Sequence, residues 1–275
     1  MILPGSDSHP RTDREVAIAA ARAGADVIGR AFGRTVIPEM KGSVNPVTEI
    51  DRAAERAVLS VIESVRPDDA ILSEERGGRT EPVGRRWIVD PLDGTVNFVH
   101  GIPQVSVSVG LWDGSVPLAG AVIDVTRGEV FSAARGEGAS LGDQPIQVSS
   151  RTDLSECIIA TGFPYDRDVH ALAYTKVMGR VMSQARDVRR LGSAALDFAW
   201  VACGRVDGFW EYSLHPWDVA AGLLLVREAG GLSADLVTRP ATVTSTDFIL
   251  AAPGIAEQLI HLIRSVAPPH VRAAR

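Results

Sequence analysis

The most informative stretch of the sequence runs Trp87-Ile-Val-Asp90-Pro-Leu-Asp93-Gly94-Thr95. An apolar run of this kind predicts a buried strand, and here the run ends in a carboxylate. The proline and the glycine that follow predict a turn. Asp90 and Asp93 lie three residues apart across that turn, so their carboxylates can converge on one point. The backbone carbonyl of Leu92 can join them there.

The oxygen ligands on this turn indicate which ion it can hold. Carboxylate and carbonyl oxygens suit hard cations, and Mg²⁺ above all where water completes its coordination. The backbone N–H groups of Gly94 and Thr95 come next and can hold a phosphate group. The alternative is that Asp90 and Asp93 are ordinary turn residues. That alternative leaves the aspartate at the end of an apolar strand unexplained.

Two further acidic segments are candidates for the same site. Glu74-Glu75 follows the predicted strand 70–73, and Asp218 opens a predicted helix within Pro216-Trp-Asp-Val-Ala-Ala-Gly222. Each segment also has a purely structural interpretation. The glutamates can be solvated loop charges, and Asp218 can be a helix N-cap. Spacing alone does not establish that these segments meet Asp90.

The composition excludes several classes of protein. The chain has 275 residues, of which 45% are hydrophobic and 23% charged, with a net charge of −6. No cluster of lysine and arginine is present, so we expect neither a nucleic-acid partner nor an anionic membrane surface. No apolar stretch is long enough to span a bilayer, and residues 1–11 do not resemble a signal peptide. The two cysteines suit a reducing compartment, so we expect a cytoplasmic protein.

The pattern of predicted elements divides the chain near residue 150. Residues 13–150 are predicted to form two helices followed by mostly antiparallel strands, and residues 151–266 to alternate between strands and helices. Such alternation favours a layered α/β structure with helices on the faces of a sheet. We expect two tightly packed subdomains, with residues 1–12 and 267–275 as flexible tails.

The chain resembles the inositol monophosphatase family from about Ala19 to about Ile263. Asp90-Pro-Leu-Asp-Gly-Thr95 is similar to the first signature of that family, and Trp217-Asp-Val-Ala-Ala-Gly222 to the second. Two signatures in the right order are far more specific than one. The resemblance implies a layered αβαβα sandwich. Other similar stretches are Pro46-Val-Thr-Glu-Ile-Asp51, Ser73-Glu-Glu75 and Gly192-Ser-Ala-Ala195.

The resemblance implies two to three Mg²⁺ ions in each active site. Glu74, Asp90 and the Leu92 carbonyl would bind the first ion. Asp90, Asp93 and Asp218 would bind the second, so that Asp90 bridges the two. Glu74 would reach a third ion through water. The activity implied is hydrolysis of a phosphate monoester by water activated at these metals.

The same resemblance assigns the attacking water and the phosphate. Asp51 and Thr95 would orient and activate the water, with Glu74 as the alternative proton acceptor. The N–H groups of Gly94 and Thr95 would hold the phosphate. The sequence around Asp51 also has a structural interpretation, because Thr48-x-x-Asp51 before an apolar run is a capping box. We expect Asp51 to play both parts.

The alcohol half of the substrate is assigned in the same way. Glu211 would accept hydrogen bonds from its hydroxyl groups, Ser193 and Ala194 would contact the polyol beside Asp93, and Lys41 would face the site. The alternative for Glu211 is a charge at a strand end. We expect the substrate to be myo-inositol monophosphate, or a similar small polyol or sugar phosphate, and the protein to be a homodimer.

Two alternatives to this function remain open from the sequence. Relatives with the same fold hydrolyse histidinol phosphate or fructose 1,6-bisphosphate. Some members of the family act instead by contacting transcription machinery, with catalysis dispensable. A degenerate set of ligands would favour that regulatory role, and here every expected carboxylate is present.

Overall fold

The computed structural model describes residues 11–34, 37–40, 46–78, 83–165, 167–237 and 239–268. Over these residues the helices are α1 (Asp13–Ala31), α2 (Glu49–Val65), α3 (Thr95–Val99), α4 (Arg167–Met182), α5 (Ala194–Ala202), α6 (Pro216–Glu228) and α7 (Ala256–Val266). The strands are β1 (Glu39–Met40), β2 (Pro46–Val47), β3 (Ala70–Ser73), β4 (Gly77–Gly78), β5 (Arg85–Asp93), β6 (Ser106–Asp113), β7 (Val116–Asp124), β8 (Glu129–Ala134), β9 (Ala139–Leu141), β10 (Gln144–Ile146), β11 (Ile158–Thr161), β12 (Asp187–Arg189), β13 (Gly208–Glu211), β14 (Leu232–Ala234) and β15 (Phe248–Ala251).

Two sheets carry most of these strands. The larger has eight strands in the order β10-β9-β8-β7-β6-β5-β3-β4, and the smaller has five in the order β12-β11-β13-β15-β14. In the larger sheet β3 and β5 run parallel, whereas its other described pairs run antiparallel. In the smaller sheet β11 runs parallel to both β12 and β13. The alternating strands and helices predicted for the second half of the chain are therefore present.

Three apolar cores separate the layers of the fold. In the first, α1 and α2 cover one face of the larger sheet with residues such as Ile28 and Val58. In the second, α5 and α6 fill the space between the two sheets. In the third, α4 and α7 cover the outer face of the smaller sheet. The order of layers is helix, sheet, helix, sheet, helix, and this confirms the predicted αβαβα sandwich.

Helix α6 lies unusually close to the larger sheet. A Cβ atom at Gly110 on β6 would lie 2.8 Å from the Ala220 Cβ, and one at Gly120 on β7 would lie 3.0 Å from the Ala221 Cα. Small residues on both sides therefore set the distance between helix and sheet. The Trp112 indole also donates a hydrogen bond of 3.0 Å to the Ala220 carbonyl. These contacts fix the start of α6 near the end of β5.

The second core is built from both halves of the chain, because α6 packs on strands of the larger sheet. The division into 13–150 and 151–266 accordingly stays a prediction, as does the flexibility of the two tails. Of those tails, residues 1–10 and 269–275 lie outside the described residues. Thr12 caps α1, and Ala267 is buried. No helix within the described ranges is both long and apolar enough to cross a membrane.

Candidate active site

The site starts where the parallel pairing of β3 with β5 stops. Strands β3 and β5 are paired so that Ser73 lies opposite Val89, and the Glu74 N–H donates a hydrogen bond of 3.2 Å to the Val89 carbonyl. The next residues along the two strands are Glu74 and Asp90. Because parallel strands end at the same edge of a sheet, the pairing brings these two carboxylates together.

A β-bulge turns Asp90 and Asp93 to the same face of the sheet. Asp90 pairs with Ser108 and Asp93 pairs with Ser106, so two residues of β5 lie opposite one residue of β6. In a regular strand, residues three apart point to opposite faces; the extra residue removes that difference. The expectation that the strand ends at Asp90 and is followed by a turn was wrong, because β5 continues through the bulge to Asp93. The predicted convergence of the two aspartates is produced by the bulge instead.

The Asp93 carboxylate joins the two halves of the chain. Its Oδ2 accepts hydrogen bonds from the Ser193 hydroxyl (2.6 Å), the Ala195 N–H (2.8 Å) and the Ser106 hydroxyl (3.3 Å). The Ala194 N–H also stabilises its charged form. Ser193 is the N-cap of α5, so the carboxylate lies at the helix end where partial positive charge favours an anion. The predicted neighbours Ser193 and Ala194 are thus next to Asp93.

Asp218 reaches the same region from the start of α6. Its Oδ2 accepts a hydrogen bond of 2.7 Å from the His215 N–H. The N-cap of α6 is His215, and Pro216 occupies the first helical turn. The structural interpretation of Asp218 as the N-cap was therefore wrong: it is the third helical residue and bonds back to the cap. This bond fixes one carboxylate oxygen and with it the orientation of the side chain.

The electrostatics of the site show how close these carboxylates are. Burial, followed by the negative charges of Glu74, Asp93 and Asp218, raises the pKa of Asp90 well above its usual value. Burial also raises the pKa of Asp93, although hydrogen bonds from Ser193 and its neighbours oppose the rise. The pKa of Asp218 is raised well above its usual value by burial and by the charges of Asp93 and Glu74. Four carboxylates that repel one another thus lie at the junction of the two sheets.

The donor set fits a hard divalent cation. Asp90 uses Oδ1 to accept the Leu92 N–H (3.0 Å), while the described hydrogen bonds of Asp93 and Asp218 fall on Oδ2. The second oxygen of each aspartate is therefore left for a ligand. No group of three or more His, Cys, Asp or Glu side chains among the described residues is already arranged as a metal site.

Thr95 and Asp51 form a second polar contact beside the carboxylates. The Thr95 hydroxyl lies 3.0 Å from Asp51 Oδ1 and 3.1 Å from the Leu92 carbonyl oxygen. Asp51 Oδ2 accepts the Thr48 N–H (2.7 Å) and the Thr48 hydroxyl (2.5 Å). Burial raises the pKa of Asp51, although the Thr48 hydrogen bonds oppose the rise. The capping box is thus present, and the same carboxylate points its other oxygen at Thr95.

Gly94 has a backbone conformation that favours glycine, with φ +93° at the start of α3. A Cβ at Gly94 would lie 2.8 Å from the Gln104 carbonyl oxygen. The Asn97 side chain holds the same turn, because its Nδ2 donates to the carbonyls of Gln104 (2.8 Å) and Leu191 (2.9 Å). The Gly94–Thr95 segment, which is expected to bind phosphate, is therefore hydrogen-bonded through Asn97 to the turn between β12 and α5.

Glu211 ends β13 on the opposite side of the site. Burial raises the pKa of Glu211 to about 8, while the positive charge of Arg190 opposes the rise and Asp93 adds to it. The negative charge of Glu211 in turn raises the pKa of Asp218 and of Asp197. Glu211 is thus near the carboxylate cluster without being one of the residues that raise the pKa of Asp90 most.

Sequence reasoning missed several residues of this region. Asn97 and Ser106 hold the turn and the Asp93 carboxylate, and Asp197 is a buried carboxyl one turn into α5. Tyr165 is half-exposed, and burial together with the negative charge of Glu74 and the site aspartates raises its pKa to about 12. Ser106 could be found only from the register of β5 and β6, which the sequence does not give. Lys41 lies outside the described residues, so its predicted place in the site stays a prediction.

Comparison with known proteins places this geometry in a family. The model of the inositol monophosphatase family matches residues 9–267. The Nus factor SuhB of Pasteurella multocida is 39% identical over 254 residues, which cover 90% of this chain and 94% of that protein. The structure of inositol monophosphatase from Anabaena (Nostoc) superposes with a TM-score of 0.83 at 36% identity, covering 94% of this chain and 97% of the other. The structure of SaIMPase-II with inositol monophosphate bound gives a TM-score of 0.76 at 27% identity and covers 94% of each chain. A match over nearly the whole length, in both sequence and fold, means that the chain belongs to the inositol monophosphatase family.

Proposed function

We propose that this protein is a Mg²⁺-dependent phosphomonoesterase. One observation carries the proposal: Glu74, Asp90, Asp93 and Asp218 come from three separate segments and meet at the junction of the two sheets, where their charges raise one another's pKa. Buried like charges destabilise a fold unless something compensates them. A divalent cation compensates all four at once, and phosphate esters are substrates that such cations bind.

The proposed ligands divide into two sets. Glu74, Asp90 and the Leu92 carbonyl would hold one Mg²⁺, and Asp90, Asp93 and Asp218 a second, with a third near Glu74. When bound, the ions would neutralise the phosphate charge and stabilise the attacking and leaving oxygens of an in-line displacement. The aspartate oxygens that the fold does not use are those we assign to the metals.

Thr95 and Asp51 would manage the proton of the attacking water. The Thr95 hydroxyl lies within hydrogen-bond distance of Asp51 Oδ1. Thr95 Oγ1 can accept the water proton as its own proton passes to Asp51 Oδ1, with Glu74 as the alternative acceptor. The raised pKa of Asp51 suits this role, because a carboxylate with a higher pKa is a better proton acceptor. Gly94 and Thr95 would hold the phosphate with their backbone N–H groups.

The substrate we propose is myo-inositol monophosphate or a similar small polyol or sugar phosphate. Glu211 supports this choice, because it can accept hydrogen bonds from neighbouring hydroxyl groups at the edge of the metal site. Ser193 and Ala194 lie beside Asp93 and would line the same alcohol pocket. The relative SaIMPase-II has been solved with inositol monophosphate bound. Histidinol phosphate and fructose 1,6-bisphosphate are the alternative substrates, and a homodimer is the proposed assembly.

A second candidate function is regulation by protein contact. Relatives with up to 41% identity are named Nus factor SuhB, and family members can act by contacting transcription machinery. These names conflict with our expectation that the protein has no nucleic-acid partner. The full carboxylate set favours catalysis, and the two functions can coexist in one chain.

An assay with a panel of phosphate esters distinguishes the phosphatase function from the regulatory one. Purified protein is incubated with inositol, histidinol, fructose and p-nitrophenyl phosphates, and released phosphate is measured. We expect hydrolysis that requires added Mg²⁺, stops with a chelator and is inhibited by Ca²⁺, whose longer and looser coordination does not suit an octahedral site. Full activity after chelator treatment would rule out the mechanism. No hydrolysis of any ester with Mg²⁺ present would leave the regulatory function as the better account.

A further inference from the structure

Gly162 lies beside Glu211 because of how two parallel strands are paired. In β11 and β13, Thr161 lies opposite Trp210. The Thr161 hydroxyl donates a hydrogen bond of 2.8 Å to the Trp210 carbonyl, which fixes this register. The next residue along each strand is Gly162 and Glu211, respectively. They are neighbours at the carboxyl ends of adjacent strands.

The Glu211 carboxylate occupies the space that a side chain at position 162 would fill. A Cβ atom at Gly162 would lie 2.1 Å from both Glu211 carboxylate oxygens and 2.2 Å from the Glu211 Cδ. Gly162 is not among the glycines with positive φ, so its backbone conformation is open to other residues. A side chain at this position would therefore displace the Glu211 carboxylate, whereas the backbone itself would accept one.

The surroundings limit where a displaced Glu211 carboxylate can go. Asp93 and Asp197 both lie close enough for their charges to interact with that of Glu211. Asp197 is 1% exposed, and its Oδ1 has no hydrogen-bond partner. A Glu211 carboxylate pushed toward either aspartate meets another acidic group. The positive charge of Arg190 also acts on Glu211, so a displaced carboxylate would find its counter-charge at Arg190.

We propose that Gly162 is a positioning residue for the alcohol half of the substrate. By lacking a Cβ, it lets the Glu211 carboxylate lie at the end of β13 in the orientation in which it accepts hydrogen bonds from substrate hydroxyls. Gly162 does not touch the substrate and acts only through Glu211. This inference rests on the proposed phosphatase function.

The test is the substrate preference of Gly162→Ala. We measure kcat/KM with Mg²⁺ for myo-inositol 1-phosphate and for p-nitrophenyl phosphate, which lacks the hydroxyl groups. We expect the ratio of the two values to fall by about tenfold or more in Gly162→Ala, mostly through KM for the inositol ester. The matched control is Gly179→Ala in α4, where an added Cβ meets nothing within 4 Å. That control should leave the ratio unchanged.

A double variant shows whether Gly162 acts through Glu211. In Gly162→Ala/Glu211→Ala the ratio should equal that of Glu211→Ala alone, because the carboxylate that the methyl group displaces is already gone. Losses that multiply would overturn the proposal, and so would an unchanged ratio in Gly162→Ala. If Gly162→Ala folds poorly, Glu211→Ala in the same chain should restore its Tm, and failure to restore it would also overturn the proposal. Wild-type protein that hydrolyses neither ester would contradict the proposed function instead.

Discussion

Two pairs of parallel strands end at this site, and they end differently. The parallel pairing of β3 with β5 stops at Ser73 and Val89, and the next residues, Glu74 and Asp90, bring two carboxylates side by side. The parallel pairing of β11 with β13 stops at Thr161 and Trp210, and the next residues are Gly162 and Glu211, where one carboxylate lies over a residue without a side chain. The same backbone arrangement thus brings two carboxylates together in one half of the chain. In the other half it leaves space for the carboxylate of Glu211.

The difference fits two kinds of ligand. A divalent cation needs several negative oxygens around one point, and the bulge in β5 and the start of α6 supply Asp93 and Asp218 to the first pair. A polyol needs an acceptor with a fixed orientation, and one carboxylate provides it. Buried like charges at the first pair oppose folding in the absence of a cation. A bound cation would therefore compensate the loss of stability that the carboxylates at the first pair cause.

Removing Asp93, one of the proposed Mg²⁺ ligands, should have the largest effect on turnover. Asp93→Asn should lower kcat by about 100-fold or more, because a neutral amide oxygen is a far poorer Mg²⁺ ligand. The metal-free variant should remain folded, since it loses one of the repelling charges. Steady-state turnover and circular dichroism check both points.

Asp207→Asn is the control for this prediction. Asp207 is also buried, but it is paired with Arg151 (2.9 Å) and accepts the Ile158 N–H (2.7 Å). Its replacement should lower the Tm and leave kcat near that of the wild type. Unchanged turnover in Asp93→Asn would remove Asp93 from the site.

Changing Glu211 at the β11–β13 pair should alter which phosphate ester is preferred without abolishing hydrolysis. Glu211→Ala should lower kcat/KM for inositol monophosphate relative to p-nitrophenyl phosphate by at least about tenfold, which corresponds to about 1.4 kcal/mol. The reason is that, in the proposed function, Glu211 would contact the alcohol and not the phosphate. Equal losses on both esters would mean that Glu211 supports the metal residues, and no loss would mean that it is not used.

The smallest predicted effect is on thermal stability and concerns Asp197, a buried carboxyl near Glu211. Burial and the charge of Glu211 raise the pKa of Asp197 well above its usual value. A carboxyl with a raised pKa contributes stability at low pH, and that contribution is lost as the pH rises through the folded-state pKa. Asp197→Asn should therefore raise the Tm of the metal-free protein by about 2 °C at pH 8. The gain should shrink toward pH 5. Thermal melts at the two pH values check this, and a gain that grows on acidification would contradict it.

The alternation of strands and helices in the second half of the chain followed from the residue pattern, whereas the αβαβα layers and the meeting of Glu74 and Asp218 with Asp90 were expected from the family resemblance. The capping box at Thr48 is local, and Thr48 starts its helix as expected. Asp90 stood out because a charged residue follows the apolar run Trp87-Ile-Val. The bulge after Asp90 and the partners Ser106 and Asn97 depend on strand register and on contacts between distant segments, which periodicity does not contain. The role of Gly162 likewise depends on which strand lies beside β11.

Titration of the metal-free protein with Mg²⁺ tests the central claim most directly. The titration is followed by calorimetry for three proteins: the wild type, Asp90→Asn and Asp207→Asn. Asp90 is the aspartate proposed to bind both ions, whereas Asp207 is paired with Arg151 away from the site. We predict saturable binding in the wild type and in Asp207→Asn, accompanied by proton release because the site aspartates have raised pKa values. Asp90→Asn, which lacks the aspartate proposed to bridge both ions, should bind at least about tenfold more weakly. Equal affinity in Asp90→Asn and the wild type would contradict the account.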